Sequence, residues 1–387
     1  LAILAMTGAG KSYACRTILE SLAEKGYPML ILDKHGDYVG LKKLFGKRVK
    51  IFVPKVEFLE EAEEDLVFIV NGLSENPLTE TMIDPFMGIF KLLKDPKRMA
   101  KIKEKFERYL RKTVYLTPNL WGIVIFIDAL FEIKQLEEKD EALEDLREVI
   151  PNSILTAHTG TLRGIRWRCL RATNRLIKMS EINKKIAENL KLEHEETPTD
   201  PKKIIDLGQI SIIFLSGYED TISSTCVGHL LRKLFDARIN EEIEKFLIVI
   251  EEAHTFAPSP SEVIESAPSL GVIKTIITEG RKFGVGVILI SQRPSRLNST
   301  ILSQCNSFII LRIVNPADQK FVRDVVETIG EEEAKILPDL STGEALLSGQ
   351  FVNFPVMVKI KKPKSKEMRL EKDFIEEIYE KWKESSK

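Results

Sequence analysis

The run Ala5-Met6-Thr7-Gly8-Ala9-Gly10-Lys11-Ser12 constrains the fold more than any other stretch of the chain. It follows the apolar segment Leu1 to Leu4 and precedes a helix-compatible stretch, Tyr13 to Lys25. A strand, a glycine-rich turn and a helix, in that order, form the setting in which Gly-Lys-Ser cradles phosphate. Gly8 and Gly10 let backbone N–H groups curl around an anion, and Thr7, Gly8, Ala9, Gly10, Lys11, Ser12 and Tyr13 make up the candidate binding segment. Lys11 adds positive charge, and Ser12 offers a hydroxyl to Mg²⁺. The first position of the usual pattern is Ala5 rather than glycine, and alanine is small enough to stand there.

Short apolar runs recur after this loop. Met29 to Leu32 ends in the polar turn Asp33-Lys34-His35-Gly36-Asp37, and Val49 to Val53 is a third candidate strand. Such runs, separated by helical stretches, predict parallel strands in βαβ units. From about residue 61 to 203 the chain is charged and helix-periodic, with Pro77, Pro85, Pro96, Pro118 and Pro151 dividing it into four to six helices. Its end, Glu193 to Pro201, reads as a polar exit linker. The strand pattern then returns at Ile210 to Leu215, Phe246 to Ile250, Val285 to Ile290, Phe308 to Ile313, Ala345 to Leu347 and Val356 to Ile360. The expected organisation is an α/β core over 1–60 and 204–369, interrupted by a helical insertion over 61–203 and followed by an amphipathic helix over 370–387.

Composition narrows the class. With 387 residues, 43% of them hydrophobic, the chain can bury a large core. A net charge of −1 gives no bulk attraction to nucleic acid, so any basic surface is local. The four cysteines are scattered with no C-x-x-C pair, which suits reduced thiols in a cytoplasmic protein. No apolar run reaches about 18 residues, so no transmembrane helix and no membrane partner are expected. The chain starts without Met and only a few residues ahead of the loop, from which a preceding N-terminal domain is expected.

Phe246 to Ile250 delivers Glu251 and Glu252 at a strand end, where α/β folds keep their active sites. This reads as a Walker-B-like strand. Glu252 is assigned as the catalytic base that orients and deprotonates water, and Glu251 is assigned to the metal shell. Asp33, at the end of the strand after the phosphate loop's helix, is a second candidate for metal or water positioning, or else a turn cap. Arg281, in Glu279-Gly280-Arg281-Lys282, is a candidate arginine finger with Lys282 as its rival; both would equally balance a helix C-terminus. Gln292 ends the next strand and could sense a γ-phosphate. Arginines between Arg163 and Arg175, and the lysines and arginines of 97–112, could touch phosphates or line solvated faces.

Together these motifs resemble HerA, a DNA translocase of the FtsK–HerA group of P-loop ATPases. The likeness runs through the phosphate loop, Asp33-Lys34-His35-Gly36-Asp37-Tyr38, Glu251-Glu252-Ala253-His254, Glu279 to Gly286, Ser291-Gln292-Arg293-Pro294, Leu302 to Asn306, Asn315 to Asp318 and Gly343 to Gly349. It covers about two-thirds of the chain; the helical insertion matches in placement only. The resemblance implies a RecA-like P-loop NTPase core and a homo-hexameric ring with ATP and Mg²⁺ bound between subunits. Lys11, Ser12, Asp33, Glu252 and Gln292 would lie on one subunit, with Arg281 reaching in from its neighbour. It also implies an N-terminal β-barrel, double-stranded DNA as the track, and a NurA-type nuclease as partner in end resection and double-strand-break repair. A superfamily motor acting on protein, in conjugation or secretion, shares every nucleotide motif and stands as the alternative. A nucleotide-gated scaffold with slow hydrolysis is a third reading.

Overall fold

The structure, a computed structural model, describes residues 1–54, 66–74, 76–260, 267–365 and 382–383. Among the described residues ten strands form one sheet: β1 (Ala2–Leu4), β2 (Met29–Asp33), β3 (Val49–Val53), β4 (Glu195–Glu196), β5 (Ile210–Phe214), β6 (Phe246–Ile250), β7 (Val285–Ser291), β8 (Ser307–Ile310), β9 (Glu344–Gly349) and β10 (Val356–Lys359). Their order is β10-β9-β8-β1-β7-β6-β2-β5-β3-β4. β1 to β8 pair in parallel; β9 runs antiparallel to β8 and to β10, closing that edge as a hairpin. This is the α/β architecture with a mostly parallel sheet that the strand pattern predicts. β4 was not foreseen: the polar linker contributes two residues that pair with Phe52 and Val53.

The inner strands are apolar throughout because helices cover both faces of a parallel sheet. Ile3, Leu30, Ile31, Val249 and Ile290 are fully buried, and each large aliphatic side chain so buried contributes about 1.5–3 kcal/mol. The register is what builds the site. Leu4 pairs with Ser291, Ile250 with Leu289, and Leu32 with Ile250. The C-terminal ends of β1, β7, β6 and β2 therefore line up along one edge.

The helix Lys11–Glu24 buries Ala14, Cys15, Leu19 and Ala23. It stops at Gly26, whose φ of 78° suits a residue without Cβ. Further on, Asp220–Ile239 and Leu270–Glu279 are helices, and the second passes into a 3₁₀ turn, Gly280–Phe283, ahead of β7.

Contacts divide the chain into two compact units, Leu1–Pro54 with Ile182–Lys387, and Lys55–Glu181. Within the second unit the helices described begin at Leu66–Leu73 and continue through Glu80–Lys94, Pro96–Leu110, Leu120–Ile133, Lys139–Leu146 and Asn152–Leu155. The long helix Thr159–Asn189 runs past the end of that unit. Pro85 lies inside Glu80–Lys94 rather than ending it. Loss of its N–H is offset by burial of Phe86, Ile89, Phe90, Leu92 and Leu93 on one face. Pro96, by contrast, starts a helix, with Asp95 accepting from Lys97 N at 3.0 Å and Arg98 N at 3.1 Å. The helix expected over 370–387 lies outside the described residues except at 382–383.

Candidate active site

Gly8 and Gly10 adopt φ of 79° and 98°, a left-handed backbone open to glycine and costly for other residues. The loop thereby reaches the helix Lys11–Glu24 with no side chain capping its first turn. The uncapped N–H groups and the helix dipole favour an anion there. Ala5 is fully buried; its N–H bonds Ser291 O at 3.2 Å, and the neighbouring Met6 N–H bonds Arg312 O at 2.9 Å. The space that glycine would leave at position 5 is thus core, and alanine fills it.

Glu252 follows β6 in a left-handed conformation, φ 49° and ψ 50°, rare for a residue with a side chain. Such a conformation costs about 1–3 kcal/mol and persists where the surroundings impose it. Here it turns the carboxylate onto two partners: Oε1 pairs with Lys11 Nζ and accepts from Gln292 Nε2 at 2.7 Å. Gln292 Oε1 in turn accepts from Thr7 Oγ1 at 2.5 Å. Four sequence-selected residues, Thr7, Lys11, Glu252 and Gln292, therefore form one hydrogen-bonded chain. Topology explains the meeting, because β7 lies between β1 and β6 and its end brings Gln292 between the phosphate loop and the acid.

His254 was missed as a site residue. Its Nδ1 lies 3.3 Å from Glu252 Oε2 and 3.2 Å from Ser291 Oγ. Burial pushes its imidazole below the usual range despite the opposing pull of Glu252, which keeps it neutral at pH 7. Its two-residue spacing from Glu252 on a turn was the available signal.

The other candidate acids occupy different places. Asp33 is fully buried and caps its own turn: Oδ1 accepts from Gly36 N at 2.7 Å and Asp37 N at 3.0 Å, and Oδ2 accepts from Tyr38 N at 3.0 Å. This is the turn-capping geometry, and it does not bring Asp33 onto Ser12. The Ser12 hydroxyl instead donates to Asp37 Oδ2, a residue that sequence reasoning read only as part of a polar run. Glu251, also fully buried, accepts from Lys34 N at 3.0 Å and His35 N at 3.3 Å through Oε2. Burial, with Asp33 and Asp37 adding to it, pushes the Glu251 carboxyl well above the carboxylate range. Glu251 thus acts through backbone rather than through Ser12. Among the described residues no group of three or more His, Cys, Asp or Glu side chains is placed to hold a metal ion. Tyr13 is half-buried in the first turn of its helix.

Arg281 is not brought to this site within the chain. It is exposed on the 3₁₀ turn before β7, whereas Gln292 follows the other end of that strand. Seven strand residues separate the two edges by roughly 20 Å. The arginine cluster on Thr159–Asn189 is largely engaged: Arg166 pairs with Asp128, Arg168 bonds the carbonyls of Asn76 and Pro77, and Arg171 stacks on Trp167. In the second basic group Lys105 is held by Asp145 and Glu148, and Lys112 by Glu132. No helix among the described residues is long and apolar enough to cross a membrane.

A probable helicase of Methanocaldococcus jannaschii is 32% identical over 385 residues, covering 93% of this chain and 65% of that protein. The DNA double-strand break repair helicase HerA of Pyrococcus furiosus is 29% identical over 405 residues, covering 93% of this chain and 64% of that protein. The chain thus spans a little under two thirds of the length of these relatives. Among solved structures, the plasmid coupling protein TrwB in complex with ADP and Mg²⁺ superposes with a TM-score of 0.57 at 13% identity, over 95% of this chain and 87% of that one. VirB4 of Thermoanaerobacter pseudethanolicus gives 0.52 at 15% identity, over 93% and 88%. At these identities the likeness is one of fold. The model of the HerA helicase central domain matches residues 1–234 and that of the HerA-like helicase C-terminal part matches 219–383, and the chain belongs to the HerA helicase family.

Proposed function

We propose that this chain is the ATPase motor of a HerA-type DNA translocase, working as a homo-hexamer on double-stranded DNA. Its setting would be end resection and double-strand-break repair beside a NurA-type nuclease. The observation that carries the reading is the chain Thr7–Gln292–Glu252–Lys11, which joins a phosphate loop to a strained acid at the end of an adjacent strand. Relatives named as helicases, one of them a double-strand break repair helicase, support the choice of track.

The residues fit a nucleoside triphosphate with Mg²⁺. The loop N–H groups and Lys11 would hold its β- and γ-phosphates, and Ser12 its cation, with Asp33 and Glu251 as buried acids behind rather than as ligands. The bound cation would neutralise charge on the phosphates. Lys11 spends its charge on Glu252 in this structure. A triphosphate offers Lys11 a stronger anion, and the exchange frees Glu252 Oε1 to accept from an attacking water. Gln292 touches both Thr7 of the loop and Glu252, so loss of the γ-phosphate would be felt at both ends of its amide. Arg281, remote from its own loop, would complete the site of the adjoining subunit, where such a cation can be worth several orders of magnitude in rate.

The test is ATP turnover by the purified protein with and without duplex DNA. Lys11→Ala and Glu252→Gln should each abolish DNA-stimulated turnover. Turnover indifferent to duplex would refute the translocase reading and favour the protein-directed motor.

A further inference from the structure

A hydroxyl that ligates a cation through a lone pair must send its proton elsewhere, so its acceptor decides where the lone pair points. For Ser12 that acceptor is Asp37 Oδ2. Asp37 is itself fixed, because the buried Asp33 carboxylate holds the N–H groups of Gly36, Asp37 and Tyr38, with Gly36 at φ 84°. A second observation points the same way. Glu251 Oε1 is buried with no N–H group donating to it, Asp33 is the side-chain partner beside it, and Asp37 and Lys11 also act on that side chain. Lys11, the cation in this group, is already paired with Glu252.

We propose that Asp37 is the positioning residue for the divalent cation of the bound nucleotide. It aligns the Ser12 hydroxyl and accepts from water carried by the cation, which suits an ion that keeps several of its waters. This inference rests on the nucleotide reading of the same site.

The experiment measures binding of a fluorescent ATP analogue to the whole protein, in EDTA and across a Mg²⁺ titration. Wild type, Asp37→Asn and Asp37→Glu are compared, with thermal melting as the folding control. For Asp37→Asn, affinity in EDTA should stay within about twofold of wild type while half-saturating Mg²⁺ rises at least about tenfold, the scale of losing an outer-sphere partner. Asp37→Glu should recover most of the Mg²⁺ response. A merely structural Asp37 would weaken binding in EDTA as much as in Mg²⁺, and that result overturns the proposal. So does an unchanged Mg²⁺ midpoint in Asp37→Asn alongside Mg²⁺-dependent wild-type binding, which leaves the nucleotide reading intact. Wild type that binds no nucleotide under either condition removes both. Asp37→Ser carries the same expectations where Asp37→Asn fails to fold.

Discussion

Gln292 donates through Nε2 to Glu252 Oε1 at 2.7 Å, from the end of the strand that lies between the phosphate loop and the acid's own strand. The amide therefore orients the carboxylate from the side that also touches Thr7. Gln292→Ala is expected to leave ATP affinity near wild type and slow turnover at least about tenfold, the scale of one hydrogen bond to a charged group. Glu252→Gln should cost about 10²–10⁴-fold, as expected for loss of a general base. Equilibrium binding and steady-state turnover, measured side by side, check both.

Glu20 ties the strap that follows β10, residues 360–365, to the phosphate loop's helix. Its buried carboxylate accepts from Lys364 N at 2.7 Å, and from Ser365 N at 2.8 Å and Ser365 Oγ at 2.5 Å. Glu20→Ala leaves those donors without an acceptor and should destabilise the protein by about 1–3 kcal/mol. Limited proteolysis should cut near residues 361–365 faster in the variant. An unchanged cleavage rate would show that Glu20 does not hold the strap.

How much was legible beforehand depended on whether chemistry was local. The strand–loop–helix at Leu1 to Lys25 and the acid-tipped strand Phe246 to Ile250 announce themselves by hydrophobic runs and residue type, so the sheet and the edge that carries the candidate site could be read directly. That Asp37 rather than Asp33 meets Ser12 could not. Both acids sit in one polar turn, and three backbone hydrogen bonds decide which of them is consumed as a cap. The left-handed Glu252 was equally hidden, because local preference argues against it and only the contacts at the strand end hold it there. Pro85 misled for a related reason: the apolar face of its helix outweighs a local breaker.

Burial pushes the thiols of Cys15 and Cys226 up from 9.0 to about 12. Between those limits the unfolded thiols lose protons while the folded ones keep them. The unfolded state then binds fewer protons, and stability falls as pH rises. Stability is thus fully present below pH 9 and is lost toward about 12, on the order of 1.4 kcal/mol per pH unit for each thiol. Denaturant midpoints from pH 8 to 11 should show this fall, shallower in Cys226→Ala. A flat profile would mean these thiols are not buried as described.

In the helical unit Gly122 follows the cap Asn119, whose Oδ1 accepts its N–H at 2.8 Å. A Cβ there would lie 1.8 Å from Thr117 O, a backbone atom that cannot swing aside. Gly122→Ala should therefore cost about 1–3 kcal/mol by overpacking, read as a lowered denaturant midpoint.

Arg281 stands at the far edge of the sheet from its own phosphate loop, so the account requires sites completed by a neighbouring copy. The most direct measurement mixes Glu252→Gln protein with Arg281→Ala protein, each nearly inactive alone, and follows ATP turnover on duplex DNA. Turnover should reappear in the mixture, because some seams then combine an intact Glu252 with an intact Arg281. Full activity of Arg281→Ala by itself, or no recovery although the two variants assemble together, would contradict it.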